Sequence, residues 1–128
     1  MAKRLSPKVV APKDVPMIQG YCGLVWELID TKNTEAQKLN LALISVDKGR
    51  SAQPHLHRNT EELYYILEGQ GEVSIDSNKY DVVDGYVVFI PPGYEHTIRN
   101  TGDSVLRLLA INSPPYDPTD TFFPQEQH

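Results

Sequence analysis

The sequence predicts an all-β fold, either a sandwich or a barrel, and two observations lead to that expectation. Short runs of β-forming residues recur between residues 23 and 111, and turn residues such as glycine, asparagine and aspartate separate them. The only helix-like stretch, residues 34–39, is too short to organise a domain. Many short strands with regular turns are typical of closed or two-layered β architectures.

Eight strands are expected in chain order. Their predicted ranges are 23–30, 39–47, 62–68, 71–75, 80–83, 86–90, 96–100 and 105–111. The segment Gly69-Gln70-Gly71 predicts a β-hairpin between the third and fourth strands, and Asp84-Gly85 predicts another between the fifth and sixth. Glycine at such positions is typical of tight hairpin turns.

Both chain ends are predicted to be extended arms around one domain that spans residues 1–128. The barrel core is placed at about residues 20–112, with arms at 1–19 and 113–128, because prolines interrupt both ends. Val9 and Val10 are expected to form a short edge strand in the first arm. The aromatic residues of the second arm predict that it lies on the protein surface.

Composition excludes several classes of function. The 128 residues carry a formal net charge of −5 and no basic run, which argues against binding to nucleic acid or to an anionic membrane surface. Basic residues follow the initial methionine, but no apolar stretch comes after them, so we predict neither a signal peptide nor a membrane span and expect a cytoplasmic protein. The single cysteine, Cys22, rules out an internal disulfide.

One predicted strand is apolar on both of its faces. Residues 63–67 read Leu-Tyr-Tyr-Ile-Leu, whereas a strand with one face in water should alternate apolar and polar residues. A second sheet, a terminal arm or another subunit must cover the outer face. Because two-fold dimers are common, this pattern predicts a homodimer.

Histidine and glutamate residues form the main candidate site. His55 and His57 are two residues apart, so on a strand their imidazoles point to the same side. Glu61 and Glu62 follow after a bend, and His96 comes after a Pro-Pro-Gly turn on a later strand. Three imidazoles and one carboxylate suit a divalent first-row metal. The terminal His128 is a poor candidate for a fixed site.

Two segments around these residues resemble the two motifs of the cupin superfamily. In residues 49–69 the motif positions are Gly49, His55, His57, Glu62 and Gly69. In residues 85–100 they are Gly85, Pro91, Gly93, His96 and Asn100. Every defining position of both motifs is filled, in the right order, and the flanking strands extend the similarity over most of the chain.

The resemblance implies a small single-domain cupin, which is a double-stranded β-helix or jelly-roll barrel with a metal near its centre. It implies that His55, His57, Glu62 and His96 are the metal ligands; Glu62 is preferred to Glu61 because it alone leaves six residues before Gly69. The expected cofactor is one divalent transition metal, with Mn, Fe, Ni, Zn and Cu left open. No catalytic residue stands out.

The partner expected for such a site is a small-molecule substrate. Four side chains share a face with the ligands and are expected to contact it: Gln53, Tyr64, Tyr94 and Ile98. The sequence favours a metal-dependent enzyme for a small oxygenated organic molecule, with a dioxygenase-like oxidoreductase as the first choice. A sugar or keto-acid isomerase or epimerase, a lyase or cyclase, and a non-enzymatic binding module stay open as alternatives.

Overall fold

The computed structural model describes residues 4–124, and within that range the predicted all-β architecture is confirmed. The helical elements within residues 4–124 are short 3₁₀ turns, such as those at Pro12–Asp14 and Pro118–Asp120. The strands, numbered in chain order, are β1 Met17–Gly20, β2 Gly23–Ile29, β3 Asn40–Val46, β4 Leu56–His57, β5 Glu61–Glu68, β6 Gln70–Ile75, β7 Asn78–Val83, β8 Val87–Ile90, β9 His96–Asn100, β10 Leu106–Ser113 and β11 Thr121–Phe122.

The strands form two main antiparallel sheets and a small pair. The larger sheet has the order β1-β2-β3-β10-β5-β8, and the smaller one has the order β7-β6-β9. Strands β4 and β11 pair separately. Strands from both sheets supply the buried apolar core, with Ile44, Ile66 and Leu108 from the larger sheet and Val73 and Ile98 from the smaller. The core therefore lies between the sheets, as in a jelly-roll barrel.

Strand periodicity explains which side chains enter the barrel. Along β5 and β10 every second residue is buried, because successive side chains of a strand point to opposite faces. One row of directly paired residues on the inner face carries three polar side chains. They belong to Asn40 on β3, Asn112 on β10 and Glu62 on β5, and the row continues to the apolar Ile90 on β8. The sheet therefore delivers three polar side chains side by side into the barrel.

The prediction of two hairpins at the glycine turns is wrong. Strands β5 and β6 lie in different sheets, and so do β7 and β8, so each turn is a crossing between sheets. Gly69 adopts φ +101°, and a Cβ added there would lie 2.7 Å from the carbonyl oxygen of Val105. Gly85 also has a positive φ. A glycine turn read from sequence alone does not distinguish a hairpin from a crossing of this kind.

The terminal segments also differ in part from expectation. Val9 and Val10 form no strand. One edge strand of the larger sheet is β1, and all of it except Gly20 lies inside the predicted first arm. The second arm packs on the barrel as predicted, up to Pro124. Its strand β11 pairs with β4, and its residue Asp120 is buried. The remainder of the arm, residues 125–128 including His128, and residues 1–3 lie outside the described residues.

An apolar row crosses all six strands on the outer face of the larger sheet. One row of directly paired residues runs from edge to edge: Met17, Trp26, Leu43, Leu109, Tyr65 and Val87. Tyr65 is 42% exposed and Leu63, on the same strand face, is 37% exposed. This surface has the apolar residues on which the prediction of a homodimer rests. The homodimer itself stays a prediction. Among residues 4–124, no helix has the length and hydrophobicity needed to cross a bilayer.

Candidate metal centre

Three histidines and one glutamate meet at one buried point inside the barrel. One ligand atom from each of His55, His57, Glu62 and His96 lies within 4.8 Å of the other three. All four residues are at most 5% exposed. An isolated bridge pairs His55 with His96, while β4 carries His57 and β5 carries Glu62. The chain therefore brings together the four side chains that the sequence singled out.

Hydrogen bonds hold the imidazoles so that Nε2 faces the cluster. Nδ1 of His55 lies 2.7 Å from the carbonyl oxygen of Gln53, and Nδ1 of His96 lies 3.0 Å from that of Tyr94. A carbonyl oxygen only accepts hydrogen bonds, so both Nδ1 atoms carry the proton. A ring that carries only this proton presents an unprotonated Nε2 to the cluster, as metal-ligating histidines do.

The second arm fixes the third imidazole in the same way. Oγ1 of Thr121 lies 3.2 Å from Nδ1 of His57 and 3.1 Å from the carbonyl oxygen of Asp117. Because the threonine hydroxyl donates to Asp117, its oxygen accepts from Nδ1 of His57. Asp120 anchors this arm by accepting hydrogen bonds from the backbone amides of Arg58 and Asn59. Residues far apart in sequence therefore set the tautomer of His57.

The separations within the cluster fit coordination of a cation. Nε2 of His96 lies 2.9 Å from Oε1 of Glu62, and Nε2 of His57 lies 3.8 Å from the same oxygen. Ligands bound at about 2.1 Å to one ion occupy neighbouring octahedral positions about 3 Å apart and opposite positions about 4.2 Å apart. Nitrogen and carboxylate oxygen are also suitable donors for first-row divalent ions. The donor set and its spacing therefore suit one transition-metal ion.

Burial keeps two of the imidazoles neutral. Desolvation, with a smaller contribution from the neighbouring His96, lowers the pKa of His55 to about 3. Desolvation also lowers the pKa of His57, although the nearby Glu62 carboxylate opposes that shift. A neutral imidazole has a free lone pair at neutral pH, so protons do not compete strongly for these two ligands.

A chamber of about 210 Å³ adjoins the cluster and is lined by residues of β1, β2, β3 and β10. Glu62 belongs to both the cluster and the chamber wall. Most of the wall is apolar, and its apolar side chains include Ile18, Val25, Ala42, Ile44 and Ala110. A concave, largely apolar cavity with a few polar groups is the usual form of a small-molecule site.

The polar groups of the chamber concentrate on one side. Asn40 and Asn112 lie in the same inner row as Glu62, and Nδ2 of Asn40 lies 3.4 Å from Oε2 of Glu27. Burial raises the pKa of the Glu27 carboxyl group, and the nearby Asp30 raises it further. Oδ1 of Asn112 is buried and has no hydrogen-bond partner among residues 4–124.

Aromatic rings from both ends of the chain close over the histidines. The ring of Tyr21 meets the imidazole of His55 edge-on at 4.7 Å, and Phe123 meets Tyr21 at 5.1 Å. Tyr21 also forms a side-chain hydrogen bond with Tyr116, and burial is the main reason why the pKa of Tyr21 is raised. These rings exclude water from one side of the cluster, a role that the sequence analysis did not predict.

The structure places the sequence-predicted substrate contacts outside the chamber wall. Tyr64 and Ile98 are each 1% exposed and pack in the core, with the Tyr64 ring 6.2 Å from that of His96. Tyr94 is 44% exposed, and Gln53 is half-buried. These four contacts stay a prediction. Glu61, the alternative carboxylate, is exposed on the other face of β5.

The fold and the site have counterparts among known proteins. The family model described as Cupin domain matches residues 42–112. An uncharacterized protein, MJ1618, of Methanocaldococcus jannaschii is 36% identical over 83% of this chain and 85% of its own. An oxalate-binding protein of Thermotoga maritima is 34% identical over 80% of this chain and 86% of its own.

A solved structure extends the similarity to three dimensions. The polyketide cyclase RemF of Streptomyces resistomycificus is 25% identical to this chain and superposes with a TM-score of 0.73. The similarity covers 84% of this chain and 80% of that protein. The matched region of the family model contains all four clustered residues and most of both sheets. The comparisons therefore agree with the barrel architecture.

Proposed function

This chain belongs to the cupin family, and from that premise we propose that it is a metal-dependent enzyme that acts on a small oxygenated organic molecule. One observation carries the proposal: the buried carboxylate of Glu62 belongs both to the four-residue cluster and to the wall of the chamber. A molecule in the chamber would therefore lie beside whatever the cluster binds.

His55, His57, His96 and Glu62 would hold the ion, the histidines through Nε2. When bound, a divalent ion supplies a Lewis acid that polarises an oxygen of the substrate. The surrounding protein excludes water and fixes the imidazoles through Gln53, Tyr94 and Thr121. Because the imidazoles are held rigidly and the chamber wall is dry and apolar, electrostatic interactions with a bound molecule are strengthened.

The chamber also offers a group that can carry a proton. Glu27 lies in its wall, and burial raises the pKa of its carboxyl group. A raised pKa makes a carboxyl group more suitable for general acid or base catalysis than an ordinary one. It would donate a proton to the bound molecule, or accept one from it, at the end of the chamber formed by β2.

The first test measures metal in the protein. The chain is purified without chelator or nickel resin, and metal per chain is determined for wild type, His57→Ala and Lys79→Ala, a control on the exposed β7. We expect about one ion per chain in wild type and the control, and far less in His57→Ala. Substoichiometric metal in all three proteins would contradict a metal-dependent mechanism.

Two reaction classes are candidates for this enzyme. The dioxygenase-like activity favoured by the sequence remains one candidate. A lyase, cyclase or isomerase is the second candidate, and Glu27 favours it because such reactions move protons without consuming oxygen. The likeness to a polyketide cyclase supports the same candidate.

Oxygen dependence separates these candidates. Fe²⁺-loaded and Mn²⁺-loaded protein are each incubated with a panel of hydroxylated aromatic and enolic compounds, in air and under argon. Turnover that stops under argon, with oxygen uptake matching product, supports the dioxygenase. Equal turnover in both atmospheres that is lost in Glu27→Gln supports proton-transfer chemistry. Binding without turnover in either atmosphere would instead indicate a non-enzymatic binding module.

A further inference from the structure

The chamber beside the cluster contains an acceptor that the protein itself does not satisfy. Oδ1 of Asn112 is buried without a hydrogen-bond partner among the described residues, and the whole residue is 5% exposed. Buried carbonyl oxygens are normally paired, and an exception calls for an explanation. Asn112 lines the chamber and lies between Asn40 and Glu62 in the inner row. A ligand that donates a hydrogen bond would satisfy it.

The charge of the wall indicates what the ligand is not. The wall includes the carboxyl groups of Glu27 and Glu62 and, among residues 4–124, neither lysine nor arginine. Recognition of a carboxylate or phosphate normally uses convergent cationic side chains. An anionic ligand would therefore place its charge against two carboxyl groups with no compensation from the wall.

The size and polarity of the chamber indicate what the ligand is. Its volume is about 210 Å³, and a dry apolar cavity of about 150 Å³ is enough to hold benzene. Ile18, Val25 and Ala110 line it with hydrocarbon, while the polar row lies along one side. The shape therefore suits a single ring whose hydroxyl group points toward Asn112.

We propose that this chamber binds an uncharged, ring-sized molecule of the phenol or enol class, whose hydroxyl group donates a hydrogen bond to Oδ1 of Asn112. Asn112 is then a specificity-determining residue. As an assignment of substrate class, the inference rests on the proposed function, because the same molecule would lie beside the metal ligand Glu62. As an assignment of a binding site, it can be tested on the metal-free protein.

Three fluorinated probes of similar size test the assignment. They are 4-fluorophenol, which is uncharged at pH 7 and donates a hydrogen bond, fluorobenzene, which has no donor, and 4-fluorobenzoate, which is anionic. Binding to metal-free protein is measured by ¹⁹F NMR titration. We expect 4-fluorophenol to bind about tenfold more tightly than either other probe. Equal or tighter binding of 4-fluorobenzoate, or no binding of 4-fluorophenol, would overturn the proposal.

Variants of Asn112 locate the hydrogen bond. Asn112→Leu keeps a similar volume but removes the acceptor, so the preference for 4-fluorophenol over fluorobenzene should disappear. Asn112→Asp keeps acceptor oxygens and should retain the preference, and Asn78→Leu on the exposed β7 is the control. A site built around a hydroxyl group discriminates strongly against analogues that lack it. An unchanged preference in a folded Asn112→Leu protein would overturn the role of Asn112.

A further measurement does not depend on how well the Asn112 variants fold. Methyl resonances of Ala42 and Ala110 in the wild-type protein should shift when 4-fluorophenol is added, because both side chains line the chamber. Shifts confined to other regions would overturn the location. Metal per chain, measured separately, keeps the two proposals distinguishable: selective phenol binding with no metal uptake would contradict the proposed function alone, and metal uptake without phenol selectivity would contradict this inference alone.

Discussion

Oε1 of Glu62 lies 2.9 Å from Nε2 of His96 in the interior of the barrel. Because Nδ1 of His96 donates to the carbonyl oxygen of Tyr94, a neutral His96 ring turns the lone pair of Nε2 toward the carboxylate. Two electron-rich atoms at this distance repel each other unless a proton or a cation lies between them. A metal ion that takes the place of such a proton would therefore contact both atoms at once.

Replacing Glu62 tests this relationship against a neighbouring carboxylate. Glu62→Gln removes the charge but keeps the shape, and we expect affinity for Mn²⁺ or Zn²⁺ to fall by at least about 100-fold, since even outer-shell partners of metal ligands contribute 10–100-fold. Glu61→Gln is the matched control, because Glu61 is exposed on the other face of the same strand. Competition with a chelating indicator at pH 7.5 measures both affinities. Equal losses in the two variants would contradict the assignment of Glu62.

The metal-free protein should lose stability as the pH falls because of His55. Its pKa is about 3 in the folded state, through burial, and about 6.5 when unfolded. Between these values the unfolded state binds more protons, so the free energy of unfolding rises with pH and is lost as the pH drops from about 6.5 toward 3. From pH 7.5 to pH 5 this one group accounts for a loss of about 2 kcal/mol.

Urea unfolding at the two pH values measures that loss. Wild-type protein and His55→Gln are compared under the same conditions, without metal. Carboxylates common to both proteins contribute equally, so the difference between the two pH dependences isolates His55. The wild-type protein should lose about 2 kcal/mol more than the variant. Parallel pH dependences would show that His55 titrates alike in the folded and unfolded states.

The sequence signals for the cluster of His55, His57, Glu62 and His96 are mostly local. The spacing of His55 and His57 puts both side chains on one face, and the motif spacing chose Glu62 over Glu61, which agrees with the burial of Glu62 and the exposure of Glu61. The chamber was missed because its wall is assembled from strands far apart in the chain. A signal was present nonetheless. Asn112 is a polar residue at a position that follows the inward-facing Leu108 and Ala110 in the alternation of the strand.

The sheet crossings could not be predicted from turn residues. Gly69 suits a hairpin turn by composition, but the backbone of Val105 lies where its side chain would be, a contact that only the folded barrel creates. A hairpin does form between β6 and β7, but its turn, at Asp76 with φ +53°, contains no glycine. Aspartate tolerates this left-handed conformation, which makes the signal weaker than that of glycine.

The second arm should contribute to metal affinity through His57. Thr121 accepts a hydrogen bond from Nδ1 of His57 while it donates to Asp117, so Thr121→Val removes the group that fixes the ring. We expect metal affinity to fall by about 10–100-fold, as for other partners of ligating histidines. Thr31→Val, an exposed threonine away from the cluster, is the control.

A spectroscopic measurement separates positioning from general damage to the fold. Co²⁺ bound to the cluster should give visible absorption bands that change in position or intensity in Thr121→Val. The far-ultraviolet circular dichroism should stay as in wild type. Bands and affinity identical to those of wild type would show that Thr121 does not position the ligand.

The outer face of the larger sheet is expected to pack against a second copy of this chain. Tyr65, Leu63, Val87 and Phe89 are between 37% and 58% exposed on adjacent strands, and apolar surfaces of this continuity are uncommon on monomers. A two-fold axis would bring the same face of each copy together. We expect a dimer by light scattering after size exclusion. Tyr65→Lys should shift it to monomer, because an unpaired charge would be buried at the centre of the interface, whereas Tyr80→Lys on the smaller sheet should leave it dimeric. Mass action favours association at high protein concentration. If the wild-type protein were still monomeric at about 100 times the concentration of the scattering experiment, this expectation would be contradicted.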